Sequence, residues 1–255
     1  MKFTKLSLFL LSVSFQEIQS DEYLDYASPF HPKVSNNGMV VSQNVESSEL
    51  GVAILSAGGN AVDAAVAVGF SLAITLPRAG NIGGGGFMLI YIKDKDELFS
   101  IDYRSSSSLN SNLQDIFGSK SPTQIQEDDY DSIKYGYMAS AVPGTVYGLL
   151  EAHEKFGKLS LKEVLLPVID QANEGIIVSY DLHNAIDSSD QLKQNSESKR
   201  IYFIDNEPLP IGSLLKRPDL AKTFESISKD GKDGFYGGWV AEKIQSSMKD
   251  NGGFI

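Results

Sequence analysis

The densest apolar pattern in this chain is a stretch of small residues that runs from Ala61 to Leu76. Alanine, valine and glycine predominate in it, which predicts a helix with so little side-chain bulk that another element can approach its backbone closely. Asn60 directly precedes the stretch and predicts an N-cap, because its side chain can accept a backbone N–H of the first turn. Pro77 follows and predicts the end of the helix, since proline lacks an amide donor.

A glycine run and a second apolar pattern come next along the chain. Gly80 and Gly83–Gly86 predict a turn that uses backbone angles closed to other residues. Residues 87–92 and 98–103 are apolar, aromatic and β-branched, and the charged turn KDKDE lies between them, which predicts a hairpin. Arg104 stands at the far end of that hairpin. A buried helix, a glycine turn and a hairpin that delivers one guanidinium predict a site for a small carboxylate.

Shorter patterns predict the remaining elements. Ser160 and Glu163 have the spacing of a capping box, which predicts a helix start at residue 161. Residues 105–134 are polar and rich in turn-forming residues, which predicts a surface loop. The other predicted elements are a strand at 38–42, a helix at 44–57, a strand at 135–142, helices at 144–156, 161–173 and 181–194, a strand at 201–204, a helix from 218, and a helix at 239–249.

Composition excludes several classes of function. The 255 residues carry a net charge of −11, which argues against a nucleic-acid surface because phosphate binding needs clustered Lys and Arg. The chain has no cysteine and three scattered histidines, which excludes disulfides, thiolate chemistry and a Cys nucleophile, and argues against a metal site. No cofactor is expected: the run GNIGGGG lacks the lysine and the strand–loop–helix order of a phosphate loop.

The first twenty residues have the pattern of a secretory signal. Lys2 and Lys5 precede the apolar run 6–15, and small or polar residues follow before Asp21. The run is too short to span a bilayer, so no stable membrane span is expected. A buried first helix is the alternative. We expect a signal peptide at 1–20, export to the periplasm or medium, and one domain over 21–255.

Seven stretches, in order from about Phe30 to the end, carry a family resemblance. They are FHP (30–32), GMVVS (38–42), the run 58–91, IDYR (101–104), VPGTVYG (142–148), KRPDLAKT (216–223) and GFYGGWVAEKI (234–244). Together they resemble the bacterial, periplasmic type of γ-glutamyltranspeptidase. The run 58–91 is the most specific of them.

The resemblance implies an N-terminal nucleophile hydrolase. Its fold would be α+β, a four-layer αββα sandwich of which this chain holds only the N-terminal portion of the large subunit. A precursor in that family cuts itself, and the new N-terminal Thr of the small subunit attacks the γ-glutamyl carbonyl of glutathione. The acyl group then passes to water, an amino acid or a peptide. No threonine here stands in that context, so we expect the nucleophile downstream; the threonines are Thr4, Thr75, Thr123, Thr145 and Thr223.

The resemblance carries one functional residue onto this chain. Arg104 matches the arginine that grips the substrate α-carboxylate, and a planar guanidinium presents two parallel donors to such a group. The alternative is a strand-end arginine paired with Asp102 or a surface acid. The family usually follows this arginine with Glu and then Ala-Pro, whereas this chain reads Ser105–Ser108. The expected scaffold of the site, rather than its catalysts, is Asn81, Gly83, Gly84, Gly85, Gly86, Asp63 and Gly144.

Three functions remain open at this point. The first is part of a γ-glutamyltransferase and glutathione hydrolase, completed by a small subunit from the same precursor. The second is a non-catalytic remnant that keeps Arg104 and binds γ-glutamyl compounds. The third is a related acylase or poly-γ-glutamate hydrolase on the same scaffold, which the pocket of the small subunit would distinguish. In each case the 255 residues alone are expected to lack turnover and to fold poorly.

Overall fold

The computed structural model describes residues 33–126, 130 and 134–255. Residues 38–255 group into one unit. The predicted signal segment and the motif FHP lie outside the described residues, so both stay predictions. Within the described ranges, no helix combines the length and the apolar character needed to cross a membrane.

Helices dominate the described part of the chain. Their bounds are α1 (Val45–Ser56), α2 (Ala61–Thr75), α3 (Leu113–Phe117), α4 (Thr145–Phe156), α5 (Leu161–Glu174), α6 (Tyr180–Asp187), α7 (Asp190–Gln194), α8 (Ser196–Tyr202), α9 (Pro218–Asp230), α10 (Asp233–Tyr236) and α11 (Gly238–Asp250). The strands form antiparallel pairs, namely β1 (Phe87–Ile92) with β2 (Glu97–Asp102), β3 (Ile176–Ile177) with β6 (Leu214–Leu215), and β4 (Phe203–Ile204) with β5 (Glu207–Pro208).

Helix α2 is the centre of the core, as its small residues predict. It contacts α1, α4 and α5, and most of its side chains are buried. Close approach is possible because Gly69 leaves room for the side chain of Leu149 on α4. On α2, Phe70 meets Phe224 of α9 edge to face at 5.6 Å between ring centroids, and neither residue is exposed.

The predicted caps are present. Asn60 Oδ1 accepts the amides of Val62 at 2.9 Å and Asp63 at 3.0 Å, and α2 begins there. Ser160 and Glu163 form the predicted capping box, in which Ser160 N–H donates to Glu163 Oε2 at 2.9 Å. The hydroxyl of Ser160 donates to the same carboxylate, and these bonds lower the pKa of Glu163.

The hairpin is confirmed, with a 3₁₀ turn at Lys93–Lys95 between its strands. One face packs on the helices: Ile90 is buried, and Phe99 lies 4.8 Å from Phe156 of α4 between ring centroids. The other face is bare. It carries four apolar side chains that are at least 59% exposed, namely Phe87, Leu89, Tyr91 and Leu98.

Two predicted strands are wrong. Residues 38–42 form no strand, because Ser42 turns into α1 and its amide donates to Ser48 Oγ at 3.1 Å. Residues 135–142 contain a 3₁₀ turn at Tyr137–Ala139 that follows Gly136, whose φ of +87° breaks an extended run.

Two further predictions are partly correct. The predicted helix 181–194 is divided between α6 and α7 at Ser188 and Ser189. Of the predicted strand 201–204, only Phe203–Ile204 is extended, because α8 continues to Tyr202.

Candidate functional site

The backbone around Arg104 is held on both sides. Before it, Tyr103 exchanges two hydrogen bonds with Gly86, of 3.0 and 3.3 Å between nitrogen and oxygen. After it, Ser106 exchanges two with Val142, of 2.8 and 3.3 Å. Arg104 therefore lies between two points at which the backbone is hydrogen-bonded to other segments.

The glycine turn joins the same arrangement. Gly84 C=O accepts the amides of Gly144 at 2.8 Å and Thr145 at 3.1 Å, which ties the turn to the start of α4. Residues 84–86, 103–106 and 142–145 thus form one hydrogen-bonded unit, which we call the arginine frame. It draws on a turn, a strand end and a helix start that are far apart in sequence.

The prediction that the glycine run adopts backbone angles closed to other residues is wrong for Gly83–Gly86. None of Gly83–Gly86 has a φ in the left-handed range between +20° and +160°. A Cβ on Gly85 would lie 2.7 Å from Tyr103 O, and a Cβ on Gly86 would lie 2.9 Å from the Tyr103 ring. The last two glycines are needed for close packing against the strand end that carries Arg104, and not for unusual backbone angles.

Tyr103 is enclosed by glycines from two elements. Gly86 faces it from the turn, and Gly144 and Gly148 face it from the start of α4, where a Cβ on either would overlap its atoms. Burial raises the pKa of the Tyr103 hydroxyl. The sequence signal for this contact is the spacing of four residues in VPGTVYG, which puts both glycines on one face of the helix.

The guanidinium of Arg104 is exposed, and within the described residues it makes no ion pair or hydrogen bond. Asp102 does not pair with it: the Asp102 carboxylate accepts the backbone amide of Arg104 instead, at 3.0 Å. The described residues thus show no acid paired with this guanidinium, and the role of Arg104 stays a prediction. Because the other acids found there leave it free, the group can take an external carboxylate through parallel donors.

The other predicted scaffold residues lie close by or serve the fold. Asn81 is exposed at the glycine turn, and its Oδ1 lies 3.2 Å from the place of a Cβ on Gly84. Asp63 is fully buried and accepts backbone amides, from Asn60 at 2.8 Å and Lys158 at 3.0 Å. It thus joins the start of α2 to the α4–α5 connection.

Among the described residues, no group of three or more His, Cys, Asp or Glu side chains could hold a metal ion. Within the described residues, the arrangement supplies one charged donor without a side-chain partner, on a backbone that is hydrogen-bonded on both sides. A group of this kind can bind and orient an anion.

Comparison with known proteins decides the family. The family model described as Gamma-glutamyltranspeptidase matches residues 47–255, which is most of the chain. The chain belongs to the γ-glutamyltranspeptidase family. A glutathione hydrolase proenzyme of Escherichia coli strain K12 is 41% identical over 228 residues, which are 89% of this chain and 38% of that protein. This γ-glutamyltranspeptidase-family chain therefore spans about two fifths of that relative.

Solved structures support the same family and confirm the fold. The crystal structure of Helicobacter pylori γ-glutamyltranspeptidase matches with a TM-score of 0.81 and 35% identity, over 88% of this chain and 63% of that one. The fold is thus part of the α+β N-terminal nucleophile hydrolase fold, as the resemblance implied. An acylase proenzyme of Pseudomonas sp. strain SE83 is also similar, at 33% identity over 91% of this chain and 42% of its own length.

Proposed function

We propose that this chain is the N-terminal part of a γ-glutamyltransferase and glutathione hydrolase, and that Arg104 binds the α-carboxylate of the γ-glutamyl substrate. The observation that carries the proposal is the guanidinium on the arginine frame, which has no partner among the described residues, in a member of this family. Bidentate pairing would fix both the position and the orientation of the substrate, which a point charge such as lysine does less well.

The chemistry itself would come from the rest of the protein. A threonine at the start of the small subunit attacks the γ-glutamyl carbonyl and releases cysteinylglycine from glutathione. The resulting γ-glutamyl ester is then cleaved by water or by the amine of an amino acid or peptide. The frame would keep the carboxylate of the donor still through both steps, so that the carbonyl stays within reach of the nucleophile.

The bare face of the hairpin supports a partner subunit. Contiguous exposed apolar side chains on a two-stranded sheet are typical of a surface that another element covers. The two strands pair only with each other in the described part of the chain, so both outer edges are open. We propose that the small subunit covers this face, and that the protein acts in the periplasm or outside the cell.

A hybrid enzyme tests the function. Residues 47–255 replace the matching segment of the E. coli proenzyme, and release of the γ-glutamyl group from glutathione is measured. We expect turnover, and Arg104→Lys should lower kcat/KM about 10- to 100-fold, since a carboxylate loses a charged bidentate contact. Arg200→Lys is the matched control, because Arg200 makes an exposed pair with Glu197 on one helix.

Three results would contradict the proposal or change it. If the Arg104→Lys hybrid has an unchanged kcat/KM, Arg104 does not bind the substrate. Hydrolysis of acylase substrates and not of glutathione would favour the acylase reading. The isolated 255 residues should show no turnover. If they bind glutathione in calorimetry and the hybrid stays inactive, the non-catalytic binding function is favoured. If calorimetry shows no heat at millimolar glutathione, that alternative is refuted.

A further inference from the structure

Segment 142–144 is the part of the arginine frame that directly precedes α4, and we call this segment the wall. The amide and carbonyl of Val142 both bond to Ser106, and the amide of Gly144 bonds to Gly84. Pro143 lies between them and has no amide, so its carbonyl is its single backbone polar group. A partner for that carbonyl would add a further attachment of this segment to the rest of the fold.

The hydroxyl of Tyr236 holds it. It donates to Pro143 O at 2.9 Å and accepts the amide of Tyr147 at 3.0 Å. Tyr147 is in the first turn of α4, where amides have no partner within the helix. One hydroxyl therefore joins the wall to the helix that follows it. Burial raises the pKa of Tyr236, so the group stays protonated and able to donate at neutral pH.

Tyr236 is itself fixed by its neighbours on α10. Gly234 packs so tightly on α9 that a Cβ would overlap the backbone of Ser226, whose hydroxyl donates to Gly234 O at 2.9 Å. Phe235 is buried, and its ring meets that of Tyr236 edge to face at 4.9 Å between centroids. The hydroxyl is thus presented from a rigid support, and rigid support is what a positioning contact requires.

We propose that Tyr236 is a positioning residue for the Arg104 site, which holds segment 142–144 against both sides of the arginine. The inference rests on the proposed function, because it gives Tyr236 a role in binding only if Arg104 binds the carboxylate. Its structural part does not depend on any ligand. Loss of the hydroxyl should loosen the wall, let residues 104–106 move, and weaken the grip on the carboxylate while leaving the chemical step unchanged.

Amide hydrogen exchange in the hybrid enzyme, measured without ligand, tests the structural part. In Tyr236→Phe, we expect the amides of Val142, Gly144 and Tyr147 to exchange roughly fivefold faster, as for the loss of one hydrogen bond. Tyr202→Phe is the matched control, because that half-buried hydroxyl bonds to Arg217, outside the frame. Acceleration at Tyr147 alone, equal acceleration along the whole chain, or no protection at Val142 and Gly144 in the unchanged chain would overturn the proposal.

Kinetics of the hybrid enzyme test the binding part. Tyr236→Phe should raise the KM for glutathione about fivefold while kcat stays within about twofold, because only the grip on the substrate is loosened. A fall in kcat at constant KM would overturn the proposal. The two failures can be told apart: an unchanged kcat/KM in Arg104→Lys refutes the proposed function, whereas the exchange result for Tyr236→Phe stands or falls without any ligand.

Discussion

Replacing Gly148 by alanine is the sharpest test of how the arginine frame is packed. In the interior of a helix, Gly→Ala normally stabilises a protein by about 1 kcal/mol. At Gly148 the new Cβ would overlap Cβ, Cγ and Cδ1 of Tyr103, and the Cβ is the stem of that side chain, which stays in place whichever rotamer the ring adopts. Overpacking of this kind costs about 1–3 kcal/mol or more. Because the overlap is with the stem, we expect a net loss of about 2 kcal/mol.

Gly69→Ala is the matched control in another buried helix. There the new Cβ would lie 3.0 Å from the methyl groups of Leu149, the far end of a side chain that can give way. The gain in helix propensity and the tight contact should nearly cancel, within about 1 kcal/mol. Urea unfolding of the hybrid enzyme, followed by circular dichroism, measures both variants. If Gly148→Ala is as stable as Gly69→Ala, Tyr103 does not pack against α4 as described, and the account of the frame fails.

Three further predictions concern the fold. Asp63→Asn should lower the free energy of unfolding by about 2 kcal/mol in urea, because the buried carboxylate accepts several amides; an unchanged midpoint would contradict this. Ser47→Ala should cost about 1 kcal/mol in the same assay, since its buried hydroxyl bonds to two others, and a neutral result would count against that network. Hydrogen bonds from Lys155 and Lys232 lower the pKa of Glu151 to about 2 from 4.5, so stability should fall as pH drops from about 4.5 towards 2. Acid titration of Glu151→Gln should show a shallower fall, and an identical curve would refute the assignment.

Local signals predicted most of the helices. Asn60 and Ser160 mark helix starts because a cap needs only residues adjacent in sequence, and both caps are present. The hairpin was predictable for the same reason, since its turn and both strands are contiguous. The resemblance, rather than any pattern, singled out Arg104, and its role as a carboxylate ligand stays a proposal.

Contacts between distant parts of the chain were not predictable. Tyr236 meets Pro143 across 93 positions, and no periodicity in either segment indicates the other. The strand predicted at 135–142 failed because an apolar, aromatic composition cannot reveal the positive φ of Gly136. The sequence singled out Gly85 and Gly86. The reason that these positions need glycine is their close packing against Tyr103, which only the folded structure shows.

The one-sided support of the hairpin has a thermodynamic consequence. One face of the strand that leads to Arg104 packs on helices, and the other face is exposed. Under the proposed function, the small subunit covers the exposed face. Subunit assembly and ligand binding are then thermodynamically linked. If the covering subunit raises the affinity for the carboxylate by some factor, bound carboxylate raises the affinity between the subunits by the same factor. Bound substrate would thus strengthen the association of the two subunits, and depletion of substrate would favour their dissociation.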